Sequence, residues 1–389
     1  MSWKPVNGGR KSASEVARTG IIIFLLVSFS AAAGYGVAWL KANHTHSFSP
    51  GDPSGTPGVF PSFDHAAAVT DGTVVSIVGK RRGEAGREEE YYASGVFVAR
   101  EGGMAFIATN AHVVEGATSL EVRVGGNEGQ KVAAEVVGYD PLTDLAVLRV
   151  PIRYAQNVAV WGDSDALRKG EWVMARGSAL GRYLDTVTHG IVSNPAQLLP
   201  VYLGPEDRGP DWELKVIQVD APMNRGYSGG ALINLSGQLV GINASKVIEQ
   251  GVEGIAFAIP SNVARPVVED IIAFGYVRRP YIGLVVDNLM NLSEDNFRNL
   301  RLPASVYQGV YVKEPPQKPA EDAGIKPFDV IVAVDDTPVT DKLRFRQVLY
   351  TKRIGDTVTL TFYRGKMKLT AQVHLLEPPQ NWVQKKERM

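Results

Sequence analysis

Short runs of β-branched and aromatic residues, broken every few positions by Gly, Asp or Asn, fill the chain from Asp71 to Ala258. TVVSIV, SGVFVAR, MAFIATNAHVV, LEVRV, AAEVVGY and LAVLRV come first, followed by WVMARG, TVTHGIVS, VIQVD, ALINL, QLVGINA and IAFAI. Many strands with tight connections favour sandwiches or closed barrels over a parallel sheet with crossover helices. Two barrels suit the number of runs. REGG (Arg100 to Gly103) and LSGQ (Leu235 to Gln238) have hairpin-turn composition.

The pattern then changes. Ser261 is placed to cap a helix over NVARPVVEDIIAF, with Val263, Val267 and Ile271 on one face and Ala264, Val268 and Ile272 beside them. Gly275 is its stop. Beyond Arg278-Arg279-Pro280 a second β-rich unit begins, with strands GVYVKE, VIVAVD, TVTLTFYR and KLTAQVHL and a helix over Leu343 to Tyr350. This spacing predicts an independent small domain. The Pro-broken, charged end of the chain, from about residue 379 to 389, is expected to fray.

The N-terminus is of another kind. Lys4, Arg10, Lys11 and Arg18 precede an uncharged apolar run from Gly20 to Leu40, about long enough to span a bilayer as a helix. Such a flank keeps residues 1–19 cytoplasmic and sends the remainder across. The competing reading is a cleaved signal peptide, with Ile21 to Ser30 as its apolar region and Ala31 to Ala33 near the cut. Apolar character continuing through Leu40 favours an anchor, and both readings export the bulk of the chain. Residues 41–65 form a linker, rich in Gly, Pro and Ser as far as residue 60. His44 and His46 lie in it with no third ligand nearby, which favours a solvated linker over a metal site.

Composition narrows the chemistry. The chain's 389 residues are enough for two or three domains, and 41 basic against 41 acidic side chains leave no nucleic-acid footprint. Without cysteine there is no disulfide framework, no Cys-ligated zinc and no thiol nucleophile. Any nucleophile must then be a hydroxyl or a carboxylate, and the search narrows to a serine with a His base and an orienting acid. Of six histidines, His44, His46 and His65 lie in or near the linker and His374 in the last strand, which leaves His112 and His189. His112 ends a strand in TNAHVV, where a packed or edge histidine is the plain alternative. Asp144 stands just before the apolar strand LAVLRV, where a carboxylate is costly to bury unpaired. Turn formation suits Asp140, before Pro141, better than Asp144. Ser228 sits in NRGYSGGAL, where a Gly-rich turn is again the plain alternative. Spacing alone establishes a His, Asp, Ser order, with the serine on the other half of the β-rich region.

These residues resemble the trypsin-like serine proteases of the HtrA/Deg family. TNAHVV, DPLTDLAVLRV, GDSDALRKGEWV, TVTHGIVS, VDAPMNRGYSGGALIN and GIAFAIPSNVA all match it in family order. The second unit, from YIGL (Tyr281 to Leu284) through PAEDAGIKPFDVIVAVDDTPV, resembles that family's PDZ domain. The resemblance covers about residues 70 to 376, and with an anchor and one PDZ domain it is closest to the membrane-anchored DegS-type members.

The resemblance implies a mainly β fold: a two-barrel, chymotrypsin-fold protease domain over residues 66–277, then a PDZ domain over 278–378, behind an N-terminal transmembrane helix. It implies Ser228 as nucleophile, His112 as general base and then acid, and Asp144 as the residue fixing the His112 tautomer. The N–H groups of Gly226 and Ser228 become the oxyanion hole, each donor worth about 3 kcal/mol when aligned. The substrate pocket falls at Pro222 and Met223, with no acid to receive Lys or Arg, so an apolar residue before the scissile bond is expected. Asp220, the nearest acid, is read as a strand-end cap. Tyr281, Ile282, Gly283 and Leu284 become the loop receiving a peptide C-terminus, with the helix at Leu343 to Tyr350 walling the groove. No cofactor and no metal are implied. The implied partners are misfolded or regulatory exported proteins, C-terminal peptides, the membrane and two further copies in a homotrimer, at the cell inner membrane with the catalytic domain on the periplasmic side. The competing class is an inactive homologue acting as a PDZ scaffold.

Four positions depart from the family pattern. Arg225, Tyr227 and Ala231 replace Pro, Asn and Pro around the serine, and Phe328 stands where Gly is common. A ring at 227 is accepted if it finds room; otherwise it biases the loop toward an inactive conformer or abolishes activity. Intact His112, Asp144, Gly226 and Ser228 argue against abolition.

Overall fold

The computed structural model describes residues 62–83, 86–125, 129–179, 183–203, 209–244 and 254–379. The apolar run 20–40, the two linker histidines and nearly all of the tail lie outside them. Among the described residues no helix is long and apolar enough to cross a membrane.

A helix α1 (Phe63–Val69), capped by Ser62, opens the described chain. Its first three residues fall inside the span read as linker, because Ser62 supplies a cap that the Gly/Pro-rich composition upstream hides. Seven strands follow: β1 (Val74–Arg82), β2 (Glu88–Glu101), β3 (Met104–Thr109), β4 (Ala117–Val124), β5 (Gln130–Ala133), β6 (Glu135–Asp140) and β7 (Leu145–Pro151). They order as β5-β4-β1-β2-β3-β7-β6. The edge strands β5 and β6 are consecutive in the chain, joined at Ala134, so the sheet curls until its ends meet. A one-turn helix α2 (Ala111–Val114) sits between β3 and β4.

The second sheet is built from β8 (Val160–Trp161), β9 (Trp172–Ala179), β10 (Tyr183–Val201), β11 (Trp212–Val219), β12 (Ala231–Asn234), β13 (Gln238–Asn243) and β14 (Ala256–Pro260). Its order β12-β9-β10-β11-β14-β13 closes through a direct β12–β13 pairing, making a barrel without edges apart from the short β8. The expected REGG and LSGQ turns are both present, as the β2–β3 and β12–β13 hairpins.

Helix α3 (Ser261–Phe274) buries Ala264, Val267, Val268 and Ile271 in the core shared by both barrels, as its periodicity requires. Ser261 is not the N-cap. Strand β14 runs directly into the helix, so Pro260 takes the cap position, the Ser261 hydroxyl donates to the Gly162 carbonyl at 2.8 Å, and Ser164 Oγ accepts from the N–H of Asn262. Gly275 ends the helix in the left-handed conformation (φ +82°).

The C-terminal domain contains β15 (Val286–Asn288), α4 (Glu294–Asn299), β16 (Val310–Val312), β17 (Val330–Val334), β18 (Thr337–Pro338), α5 (Lys342–Tyr350), β19 (Thr357–Arg364) and β20 (Met367–His374). Their sheet, β15-β16-β17-β19-β20, encloses its own core around Val310, Ile331, Phe345 and Leu360. Strand β15 is at the sheet edge. Phe328 holds φ +67°, the left-handed region where glycine is free of strain.

Candidate active site

The register of two strands brings the first pair of site residues together. Thr109 of β3 lies opposite Ala146 of β7, so continuing three residues past Thr109 and stepping back two from Ala146 leads both chains to one corner. There His112 Nδ1 lies 2.8 Å from Asp144 Oδ2, and the His112 N–H donates to Asp144 Oδ1 at 3.0 Å. Asn110 Nδ2 donates to the Asp144 carbonyl at 3.0 Å. Asp144 has φ +53°, uncommon for a residue with a Cβ. That conformation is held by hydrogen bonds at both its side chain and its carbonyl. Tyr91 adds a brace, its hydroxyl donating to the carbonyl of Val113 beside the histidine.

Ser228 lies in the connection between β11 and β12, 6% exposed, and its loop docks on the first barrel. The N–H of Ser94 donates to the Ser228 carbonyl at 2.8 Å, and the Ser94 hydroxyl donates to the Gly226 carbonyl at 2.6 Å. Ser94 Oγ also accepts from the N–H of Ser178, and its carbonyl accepts from Thr109 Oγ1, each at 2.8 Å. One buried serine thus joins the Ser228 loop to β9 and to the strand that leads to His112. Gly229 must be glycine: φ is +80°, and a Cβ would stand 2.3 Å from the Ser94 carbonyl. Gly226 has φ +103°, so the two glycines flanking the Tyr-Ser pair carry backbone that other residues avoid.

Tyr227 finds its room. It is 1% exposed and packs in the second barrel with Ala179, Val192 and Val219, while Gly177 leaves space against its ring. Burying such a ring contributes about 1.5–3 kcal/mol. Its hydroxyl is 3.5 Å from the Thr186 carbonyl, and burial pushes the phenol above its ordinary value, against a smaller opposing effect of Thr188. Met223 belongs to the same buried cluster, whereas Pro222 is exposed with its carbonyl bonded by Thr188 Oγ1 at 2.8 Å. The structure therefore separates the two expected pocket residues. Asp220 caps its strand end, accepting from the N–H of Ile191 at 2.6 Å. His189 stacks with Phe63 and Trp172. Of the histidines in the described residues, His112 is the one paired with a carboxylate.

In the C-terminal domain, Tyr281, Ile282, Gly283 and Leu284 line one cavity of about 210 Å³, together with Val286, Phe345 and Leu349. Gly283 has φ +77°, and a Cβ there would meet the Gln317 carbonyl at 2.3 Å. Glu115, Asp140, Pro141 and Leu142, from the first barrel, line it as well. Asp140 does more than form a turn. Its carboxylate accepts from Thr143 N–H at 3.0 Å and takes both guanidinium nitrogens of Arg279 at 2.7 Å. Burial would raise the Asp140 pKa, but Arg279 and Thr143 hold it below the ordinary carboxylate range. Arg346 and Lys342 of α5 likewise meet Asp211, at 2.7 and 3.4 Å.

Residues 93–242 match the model of the trypsin-like peptidase domain, and residues 280–375 match that of the PDZ domain. Serine protease Do-like HtrA of Lactococcus lactis subsp. lactis (strain IL1403) is 42% identical over 289 residues, covering 72% of this chain and 70% of the relative. The chain belongs to the HtrA serine protease family. The HtrA of Bacillus subtilis (strain 168) is 40% identical over 288 residues, covering 72% of this HtrA protease and 63% of the relative. Among solved structures, the HtrA-type protease AlgW with a decapeptide superimposes at TM-score 0.59 and 28% identity, over 82% of this chain and 99% of that one. The serine endoprotease from Yersinia pestis superimposes at TM-score 0.57 and 30% identity, over 82% and 98%. This HtrA protease is accordingly a serine endopeptidase of mainly β trypsin-like fold followed by one PDZ domain.

Several residues around the site escape a reading of the sequence. Ser94, Asn110, Arg279 and Arg176, whose carbonyl accepts from Asn243 Nδ2, each meet a partner dozens to more than a hundred positions away. The legible signals were a lone arginine inside the apolar run WVMARGSA and a Ser-Gly pair inside YYASGVFV.

Proposed function

We propose that this HtrA protease hydrolyses peptide bonds through Ser228, His112 and Asp144, and that it is tethered to the membrane by residues 20–40. The observation that carries the reading is the pairing of His112 Nδ1 with Asp144 at 2.8 Å. It keeps the proton on Nδ1 and leaves Nε2 as the basic nitrogen. Ser228 Oγ attacks the scissile carbonyl while His112 Nε2 takes its proton. The resulting oxyanion is received by the N–H groups of Gly226 and Ser228. His112 then protonates the leaving amine, and water hydrolyses the acyl-enzyme by the same steps reversed. Among the described residues the Gly226 N–H has no backbone acceptor, which supports its use by the substrate. Buried Met223 and the engagement of Asp220 with Ile191 support an apolar residue before the scissile bond.

The cavity at Tyr281 to Leu284 receives a peptide C-terminus, its apolar walls accepting an apolar last side chain and β15 offering a sheet edge to the peptide backbone. Ligands there modulate cleavage of misfolded or regulatory exported proteins on the periplasmic side of the inner membrane. The aromatic face of Phe63, Trp172 and His189 supports assembly into a trimer. The test is labelling of the full-length protein, in detergent, by a fluorophosphonate probe with and without C-terminal peptides. Ser228 becomes labelled and Ser228→Ala does not. Absence of labelling with every peptide and at every temperature sinks the protease mechanism and leaves a peptide-binding scaffold. A mature N-terminus near Gly34 by mass spectrometry sinks the anchor.

A further inference from the structure

Arg176 is the one residue of β9 whose charge is carried into the barrel wall, and it is 3% exposed. Its Nε and Nη2 take both carboxylate oxygens of Asp185, at the entry to β10. Nη2 also donates to Asp71 Oδ1 at 2.8 Å, and Nη1 donates to the Ala67 carbonyl and to Thr70 Oγ1, each at 2.9 Å. One planar guanidinium therefore gathers the end of α1, the two residues after it and the start of β10. Asp185 is held there at φ +53°, a conformation a non-glycine residue keeps only under outside restraint.

The backbone of the same stretch faces the nucleophile. The Arg176 carbonyl accepts from Asn243 Nδ2 at 3.3 Å, and a Cβ on Gly230 would stand 2.3 Å from that carbonyl oxygen. Gly177 packs on the Tyr227 ring, and Ser178 N–H binds the same Ser94 hydroxyl that holds the Gly226 carbonyl. Three successive residues of β9 thus abut both flanks of Ser228. Close-packed interiors transmit strain, so a shift of β9 passes to the loop it touches.

We propose that Arg176 is a positioning residue, through which docking of residues 67–71 and of Asp185 aligns the loop at 226–230, so that turnover depends on the segment leading out of the tether. The proposal rests on Ser228 being the nucleophile for its kinetic readout alone. In full-length protein, Arg176→Met and Asp185→Asn lower kcat by about 10- to 100-fold with KM little changed, the size expected for a small misplacement of the reacting groups. Arg176→Lys restores part of the loss. Asp71→Asn, whose carboxylate is largely exposed, costs only about two- to threefold.

Amide hydrogen exchange supplies the second measurement. In Asp185→Asn the amides of Tyr227, Gly229 and Gly230 exchange faster while those of Val330 to Val334 in the PDZ core do not. Unchanged exchange at 227–230 overturns the proposal whatever the activity, and so does a variant with lowered thermal stability and unaltered kcat. If wild-type Ser228 never labels, the nucleophile assignment fails on its own and the exchange comparison still decides the role of Arg176.

Discussion

The two halves of the candidate active site are held in different ways. His112 and Asp144 are fixed by their own neighbourhood: adjacent strands in register, with hydrogen bonds from the His112 and Asn110 positions to Asp144. The Ser228 loop is fixed from outside, by Ser94 of the first barrel, Asn243 of β13 and the wall of β9. If His112, Asp144 and Ser228 act as proposed, the acid–base side is held within the first barrel, whereas the Ser228 side needs contacts from both barrels.

The comparison can be broken at several points, and Asp144→Asn should have the largest effect. Asparagine keeps the shape but permits the wrong His112 tautomer, so kcat falls about 10⁴-fold. Steady-state cleavage of a peptide reads this, and a loss below tenfold would show that the acid–base side does not work through Asp144.

Next is Asp140→Asn, which leaves Arg279 partly buried without its carboxylate and lowers stability by about 3–5 kcal/mol. The sign with pH follows from the depressed Asp140 pKa. Its contribution is fully present above the unfolded value of about 3.9 and is lost only as pH falls through the lower, folded value. Urea unfolding of wild type and mutant should therefore differ by a constant amount from neutral pH to about 4 and converge below it. Convergence already at pH 6 would assign the difference to another group.

Ser94→Ala sharpens the contrast within the nucleophile side. It removes the donor to the Gly226 carbonyl and strands the N–H of Ser178, so kcat drops about 10- to 100-fold while KM stays near its original value. The opposite pattern, a raised KM with unchanged kcat, would place Ser94 in substrate binding instead. Tyr227→Phe is the smallest change. The hydroxyl sits at the outer limit of hydrogen bonding, so its loss should alter kcat by no more than about threefold, with the packed ring left in place. A larger loss would make the hydroxyl, rather than the ring, the element that holds the loop.

Much of this was legible in the order of residues. The short runs foretold two β barrels, the apolar spacing foretold a helix over 262–274 with Gly275 as its stop, and the glycines of NRGYSGGAL marked a turn. The reading failed where local signals conflict with a neighbour: Ser261 has the composition of a cap, but the incoming strand β14 takes that place. It also failed at the linker's end, where α1 begins three residues before the expected boundary.

The family motifs of the chain already contain His112, Asp144 and Ser228, since each is set by its own flanking residues. The order of residues was therefore enough for the mainly β fold, the succession of a trypsin-like and a PDZ domain, and the family. Only the tertiary structure decided that Tyr227 is accommodated, that Asp140 of the first barrel pairs with Arg279 at the start of the PDZ domain, and that Ser94 and strand β9 converge on the Ser228 loop. The physical reason is range. Strand period, capping and turn chemistry act over a few residues, whereas Ser94 meets Gly226, Arg176 meets Ala67 and Asp71, and Arg279 meets Asp140 across more than a hundred positions, contacts that form only once the chain has folded.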